Sequence, residues 1–324
     1  MEPDEVDLSA PFGNGTLPNP VTTASGCAGY GREIARFQSL GELGSITTKT
    51  IMPYPRAGRP TPRMAETPSG MLNAIGLQGA GIGHFVEQEL PWLAERGARV
   101  LVSIAGERVE EFAETAQALN GRPGVVGIEA NLSCPNAANR GLVFACNPAT
   151  SFDVVAAIRE VTDPALPLYA KLSPDVTSVT EIAAACVRAG ADGLSMINTL
   201  LGMAIDTTTM RPALAAADGP GTGGLSGPAI RPVAVRCVYQ VHAAMRAGTM
   251  PVVPILGMGG IRTGLDALEF VLAGASGVAV GTTIFNDPAA PLRVLSELRQ
   301  ALAERGFAKL TDAIGFAHHQ GVPT

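Results

Sequence analysis

Eight short apolar runs recur along the chain, near residues 21–24, 45–49, 100–105, 125–131, 168–172, 193–198, 252–256 and 278–280. Between them lie stretches such as ERVEEFAETAQAL, TEIAAACVRAG and GLDALEFVLAG, whose apolar positions repeat at three and four residues. That spacing lays one apolar stripe along a helix. Several of these stretches end in Gly, as in RAGA and LAGA, where a left-handed cap costs least. Strands alternating with helices imply a parallel sheet, because each helix carries the chain back across the sheet face. Eight such units predict an α/β fold closed as a (β/α)8 TIM barrel rather than an open doubly wound sheet. The 324 residues suit one such barrel and no low-complexity linker divides them, so residues 1–324 are expected to form a single domain.

Two connections, residues 51–81 and 200–227, are too long to be plain turns. They follow the second and sixth strands. In a barrel both insertions therefore belong to the C-terminal face, where such folds keep their active sites. The net charge is −6 and no block of Lys and Arg stands out, which excludes nucleic acid as the natural partner. No apolar run approaches the roughly 18 residues of a membrane span. The acidic start, MEPDEVDLSAPFGNG, is broken by Pro and Gly and has no signal-peptide character, so a cytoplasmic protein is expected. Five cysteines, widely spaced and without a C-x-x-C pair, offer no zinc or iron–sulfur site of the chain's own.

The strand ends carry the polar residues. Lys49, Asn131, Cys134, Lys171 and Asn198 all follow or close an apolar run, so the predicted barrel gathers them on one face. Burying two lysines, two asparagines and a thiol together without a ligand is costly. At the last two strand ends, GMGGI and VGTTIF let backbone N–H groups approach an anion. Barrels often bind phosphate there, and FMN is one candidate ligand. Cys186 and Cys237 lie inside helical patterns and read as core, and Cys27 and Cys146 also read as structural. Cys134 differs: Pro135 ends its strand and polar neighbours surround it, a setting in which a thiol can act as a base.

Seven segments in order, MLNAIGLQ, NLSCPN, AKLSPDVT, MINTLLGMAID, GGLSGPAIRPVAVR, PILGMGGI and AVGT, resemble the dihydroorotate dehydrogenases over residues 20–288. The branch they resemble is class 1B, the NAD-linked catalytic subunit. The membrane-bound class 2 carries an anchoring segment and a Ser where this chain has Cys134. The resemblance implies FMN as cofactor and oxidation of dihydroorotate to orotate in de novo pyrimidine (UMP) biosynthesis. It makes Cys134 the base that takes the C5 proton while hydride leaves C6 for flavin N5, with Lys49 and Lys171 completing the catalytic set. For FMN it implies Ser25, Lys49, Thr50, Ser103 and Asn131 on the first four strands. On the later ones it implies Lys171, Ile197 and Gly227, then Gly259, Gly260, Gly281 and Thr282. For the substrate it implies Lys49, the Asn73, Ala74, Ile75, Gly76 and Leu77 segment, Asn131, Asn198 and Thr199. It also implies an electron-transfer subunit carrying FAD and a 2Fe–2S cluster for NAD reduction, in a homodimer or heterotetramer. The chain departs from the family pattern at Gly79-Ala80, where relatives have Asn-Pro, and at Ser103, where they have Asn. Two other readings are a dihydropyrimidine dehydrogenase-like flavoenzyme and, in a different class, a barrel aldolase using Lys171 or Lys49 as a Schiff-base amine.

Overall fold

The computed structural model describes residues 2–132, 144–214 and 221–319. Eight parallel strands form its central sheet: β1 (Val21–Thr23), β2 (Ile46–Thr47), β3 (Val100–Ile104), β4 (Val125–Asn131), β5 (Leu168–Leu172), β6 (Gly193–Met196), β7 (Ile255–Met258) and β8 (Gly277–Val280). Neighbours pair in the order β1-β8-β7-β6-β5-β4-β3-β2. The two edges are drawn together by a side chain. Thr23 Oγ1 donates to the Thr47 carbonyl at 3.1 Å and accepts the Thr47 N–H at 3.0 Å. The Gly44 N–H adds a bond to the Val21 carbonyl at 2.9 Å. The result is the (β/α)8 barrel that the alternation of runs predicts.

The two-residue period of a strand sorts the core into two layers. Val102, Ile128, Ala130, Ala170, Leu172, Leu194 and Met196 face outward into one apolar cluster with the helices. Leu101, Tyr169, Leu256, Met258 and Ala279 form a second cluster inside the barrel. Strands buried on both sides need few polar positions, which is why they read as near-continuous apolar runs. An antiparallel hairpin, Ala10–Phe12 with Gly15–Leu17, stoppers the N-terminal end. The Phe12 ring stacks on Tyr169 at 4.7 Å, and the Gly13 N–H donates to the Tyr169 hydroxyl at 3.0 Å. The void left there is about 10 Å³, room for one water at most. Gly193 makes space for the ring: a Cβ on it would lie 2.4 Å from Tyr169.

The helices start where the sequence supplies caps. The Asn147 side chain accepts the Ala149 N–H ahead of Pro148–Val161. Thr263 and Asp266 form a reciprocal capping box ahead of Gly264–Ala273. The seventh strand corrects the sequence reading: it runs Ile255–Met258, not 252–256. Pro251 and Pro254 carry no N–H for the ladder, so the strand begins only past the second of them. β6 stops at Met196 rather than reaching 198, and β2 is trimmed to Ile46–Thr47.

The two long connections form one structure. Leu200–Gly202, Gly223–Ser226, Gly70–Asn73 and Met64–Thr67 pair in that order as an antiparallel four-stranded sheet. Segments more than a hundred residues apart are thereby joined beside the barrel mouth. Among the described residues no helix is long and apolar enough to cross a membrane.

Candidate active site

The C-terminal ends of the strands converge as the alternation requires. Lys171 closes β5 from inside the barrel, and its Nζ donates to Ser25 Oγ at 2.7 Å, just past β1. Its side chain is only 4% exposed. Asn131 pairs in register with Lys171, and Asn131 Nδ2 donates to Thr50 Oγ1 at 3.1 Å. Thr50 Oγ1 lies 3.0 Å from Ser103 Oγ, which is fully buried. Ser103 thus meets Thr50, and through it Asn131. Lys49 is half-buried next to Thr50, and its N–H donates to the Gly29 carbonyl at 2.8 Å.

Cys27 reports on how close the two lysines stand. Burial pushes its thiol up to about 11, against the opposing pull of Lys171 and then Lys49. Its Sγ also lies 3.4 Å from where a Cβ on Gly281 would stand. The sequence reading treats Cys27 as structural, and such a raised thiol is a neutral wall rather than a nucleophile. Cys186, pushed up to about 12 by burial, and Cys237, raised for the same reason, are core residues as expected.

The inserted sheet brings the other candidates in. Asn73 Nδ2 donates to the Gly224 carbonyl at 3.2 Å. A Cβ on Gly224 would lie 2.1 Å from Thr199 Oγ1, so only glycine lets Asn73 and Thr199 share that spot. Asn198, beside Thr199, is half-buried, and its N–H donates to the Leu172 carbonyl at 2.9 Å. Ile197 is buried, and its N–H reaches the Met258 carbonyl at 3.0 Å. The segment from Asn73 to Leu77 is tied down by two backbone bonds, Ala74 N–H to Arg63 and Arg59 N–H to Ile75. Leu77 takes φ +56, a left-handed conformation that is rare for a residue of its kind.

At the far side of the mouth three glycines crowd together. Gly227, Gly259 and Gly260 have φ of +93, +130 and +80. A Cβ on Gly260 would stand 2.9 Å from the Gly227 carbonyl oxygen, and one on Gly259 would stand 2.9 Å from Ala234 Cβ. Thr282 Oγ1 donates to Ser226 Oγ at 2.8 Å, linking the end of β8 to this turn. The arrangement is a backbone-lined cradle with a hydroxyl rim, the form an anion site takes. A cleft of about 410 Å³ opens beside Lys49, with Tyr30, Gln78, Gly79 and Glu89 among its walls.

A family model described as dihydroorotate dehydrogenase matches residues 8–302. The chain belongs to the dihydroorotate dehydrogenase family. Members of this family are flavin-dependent oxidoreductases. The chain is 49% identical over 309 residues to the protein named dihydroorotate dehydrogenase B (NAD(+)), catalytic subunit, of Geotalea uraniireducens, covering 95% of this chain and 97% of that one. The proteins of the same name from Geobacter sulfurreducens and Geobacillus kaustophilus are 48% and 47% identical, with 95% and 93% of this chain covered and 97% and 92% of theirs.

Within this member of the family the structure brings together the candidates on the barrel strands, the inserted sheet and the glycine turns. Cys134 lies outside the described residues. Sequence reasoning missed Glu129, Ser195 and Ser226. Ser226 binds Thr282, and the other two are fully buried polar side chains on β4 and β6. Glu129 had a visible signal, a carboxylate inside the apolar run VVGIEANL.

Proposed function

We propose that the chain is the catalytic subunit of an NAD-linked dihydroorotate dehydrogenase, oxidising dihydroorotate to orotate with FMN for pyrimidine biosynthesis. The observation that carries this reading is the composition of the barrel mouth. Lys49 and Lys171 stand at the β2 and β5 ends, Asn131 and Asn198 at the β4 and β6 ends, and the glycine cradle lies beyond β7. The cradle fits the FMN phosphate, because positive φ and the crowding around Gly259 and Gly260 reserve that space for backbone. Ser25, Thr50, Asn131, Lys171, Ile197, Gly227, Gly281 and Thr282 are the residues that would hold the rest of the cofactor, with Ser103 acting through Thr50. When bound, FMN supplies the two-electron acceptor for the hydride of C6.

The protein's own groups have the remaining tasks. Lys49 offers a cation to the substrate carboxylate. Asn73, Asn131, Asn198 and Thr199 offer amides and a hydroxyl to the ring, which carries both donors and acceptors. The pinned stretch from Ala74 to Leu77 adds main-chain groups at a fixed position. Cys134 takes the proton from C5, a role that rests on the NLSCPN resemblance. Lys171, anchored on Ser25, holds positive charge where negative charge grows during reduction. The relatives' names, which specify NAD(+) and a catalytic subunit, support transfer of the electrons to a second subunit. We assign FAD and a 2Fe–2S cluster to that partner.

The test is an anaerobic visible spectrum of the pure protein before and after dihydroorotate. A yellow protein that bleaches is the expected result. A yellow protein that responds only to dihydrouracil overturns the substrate. A colourless protein that free FMN does not restore overturns the flavin assignment.

A further inference from the structure

Glu129 lies in β4, two residues before Asn131, with its side chain fully buried. Among the described residues neither carboxylate oxygen has a hydrogen-bond partner. Glu129 Oε1 faces Lys171 Nζ at 3.8 Å, too far for a hydrogen bond but close enough for a strong interaction inside a protein. In the sheet register Glu129 is level with Tyr169, while Asn131 is level with Lys171. The carboxylate therefore starts one layer deeper than the lysine and points up beneath it. On the other flank of Lys171, Ser195 is its partner in the register with β6, and Ser195 Oγ is also buried without a hydrogen bond among the described residues.

Fold stability alone does not account for this layer. A buried ion pair gains little over apolar residues of the same size, and buried acceptors without donors cost stability. The pair sits where the fold offers function instead: directly under the strand ends, with Lys171 reaching Ser25. We infer that Glu129 is a positioning residue for the reaction, its carboxylate holding the charge of Lys171 at the cofactor face of the barrel. Ser25 fixes the direction of the ammonium, and Glu129 supplies the counter-charge that lets it stay buried there. Without Glu129, Lys171 would be an uncompensated charge in the interior, and the protein would discharge it or turn it away. The positive potential that favours reduction of the flavin would go with it. This inference rests on the FMN reading above.

The experiment compares holoenzymes of the wild type, Glu129→Gln, Lys171→Met and the double variant by anaerobic redox titration of the bound flavin. Because Glu129 acts through Lys171, E129Q is expected to lower the midpoint potential in the same direction as K171M. The double variant is expected to match K171M. E129Q is also expected to slow flavin reduction by dihydroorotate about tenfold or more, with little change in substrate KM. An unchanged or raised potential in E129Q overturns the inference, as do effects that add in the double variant. If E129Q alone does not fold, the comparison of the double variant with K171M decides: equal potentials support the inference and unequal ones overturn it. A second readout needs no flavin. Flavin-free K171M keeps a carboxylate without its counter-charge and is expected to unfold at a lower temperature than the flavin-free double variant. The reverse order overturns the pairing. A wild type that binds no flavin overturns the functional reading, and this inference with it. A wild type that bleaches beside an E129Q variant that bleaches as fast and at the same potential overturns this inference alone.

Discussion

At the residue scale the proposed chemistry gives separate roles to a few groups. Cys134→Ser replaces a thiol with a much weaker acid, so at neutral pH its conjugate base is scarce. Stopped-flow reduction by dihydroorotate is expected to slow by about a hundredfold or more, a typical size for losing a general base, while the yellow colour remains. Unchanged rates would remove Cys134 from the mechanism. Gly260→Ala tests the cradle. The added Cβ would meet both the Gly227 carbonyl oxygen and Arg231 Cβ at 2.9 Å, at φ +80. Neither oxygen nor backbone can retreat without opening the turn, and the strain is of the order of 1–3 kcal/mol. FMN affinity, followed by the fluorescence of released flavin, is expected to fall about tenfold or more. Full retention would move the phosphate to another part of the mouth.

At the scale of elements, one surface contact makes stability pH-dependent. On the helix Arg231–Arg246, His242 is overlaid by Gly274 and Gly315, and its ring lies 4.6 Å from that of His318. Burial first, then the charges of His318 and Arg246, lower its pKa from 6.5 to about 4. The folded chain therefore binds fewer protons than the unfolded one between those values. Its contribution is complete above about pH 6.5 and fades as the pH falls towards 4. Thermal midpoints of His242→Gln are expected to fall less than those of the wild type over that window, and parallel curves would refute this. Elements were unequally legible in the sequence. The barrel strands were plain because they are buried on both faces. β7 was misplaced because Val252 and Val253 look like strand, yet Pro254 interrupts the ladder. The inserted sheet was not legible at all: its strands are three or four residues long on separate insertions, too short for a period to show. Glu129 was readable as an oddity, but its partner Lys171 lies on the next strand, and only the register brings them together.

At the scale of the whole molecule, the prediction concerns electron traffic. The relatives are named as catalytic subunits, and the chain has no C-x-x-C ligands for a cluster and no dinucleotide fingerprint after a strand. The pure chain with dihydroorotate and NAD is expected to reduce its flavin once and then stall, with absorbance at 340 nm rising only when an electron-transfer subunit is added. Steady NADH production by the chain alone would refute this. The hairpin that stoppers the barrel gives the molecule a polarity. With Phe12 stacked on Tyr169 and about 10 Å³ left beneath them, nothing passes along the axis. The end beneath the hairpin is therefore inert ground. A support, an antibody or a fused domain attached there would leave turnover alone, whereas the same load at the opposite end would cover the mouth where Lys49, Asn131 and Lys171 gather.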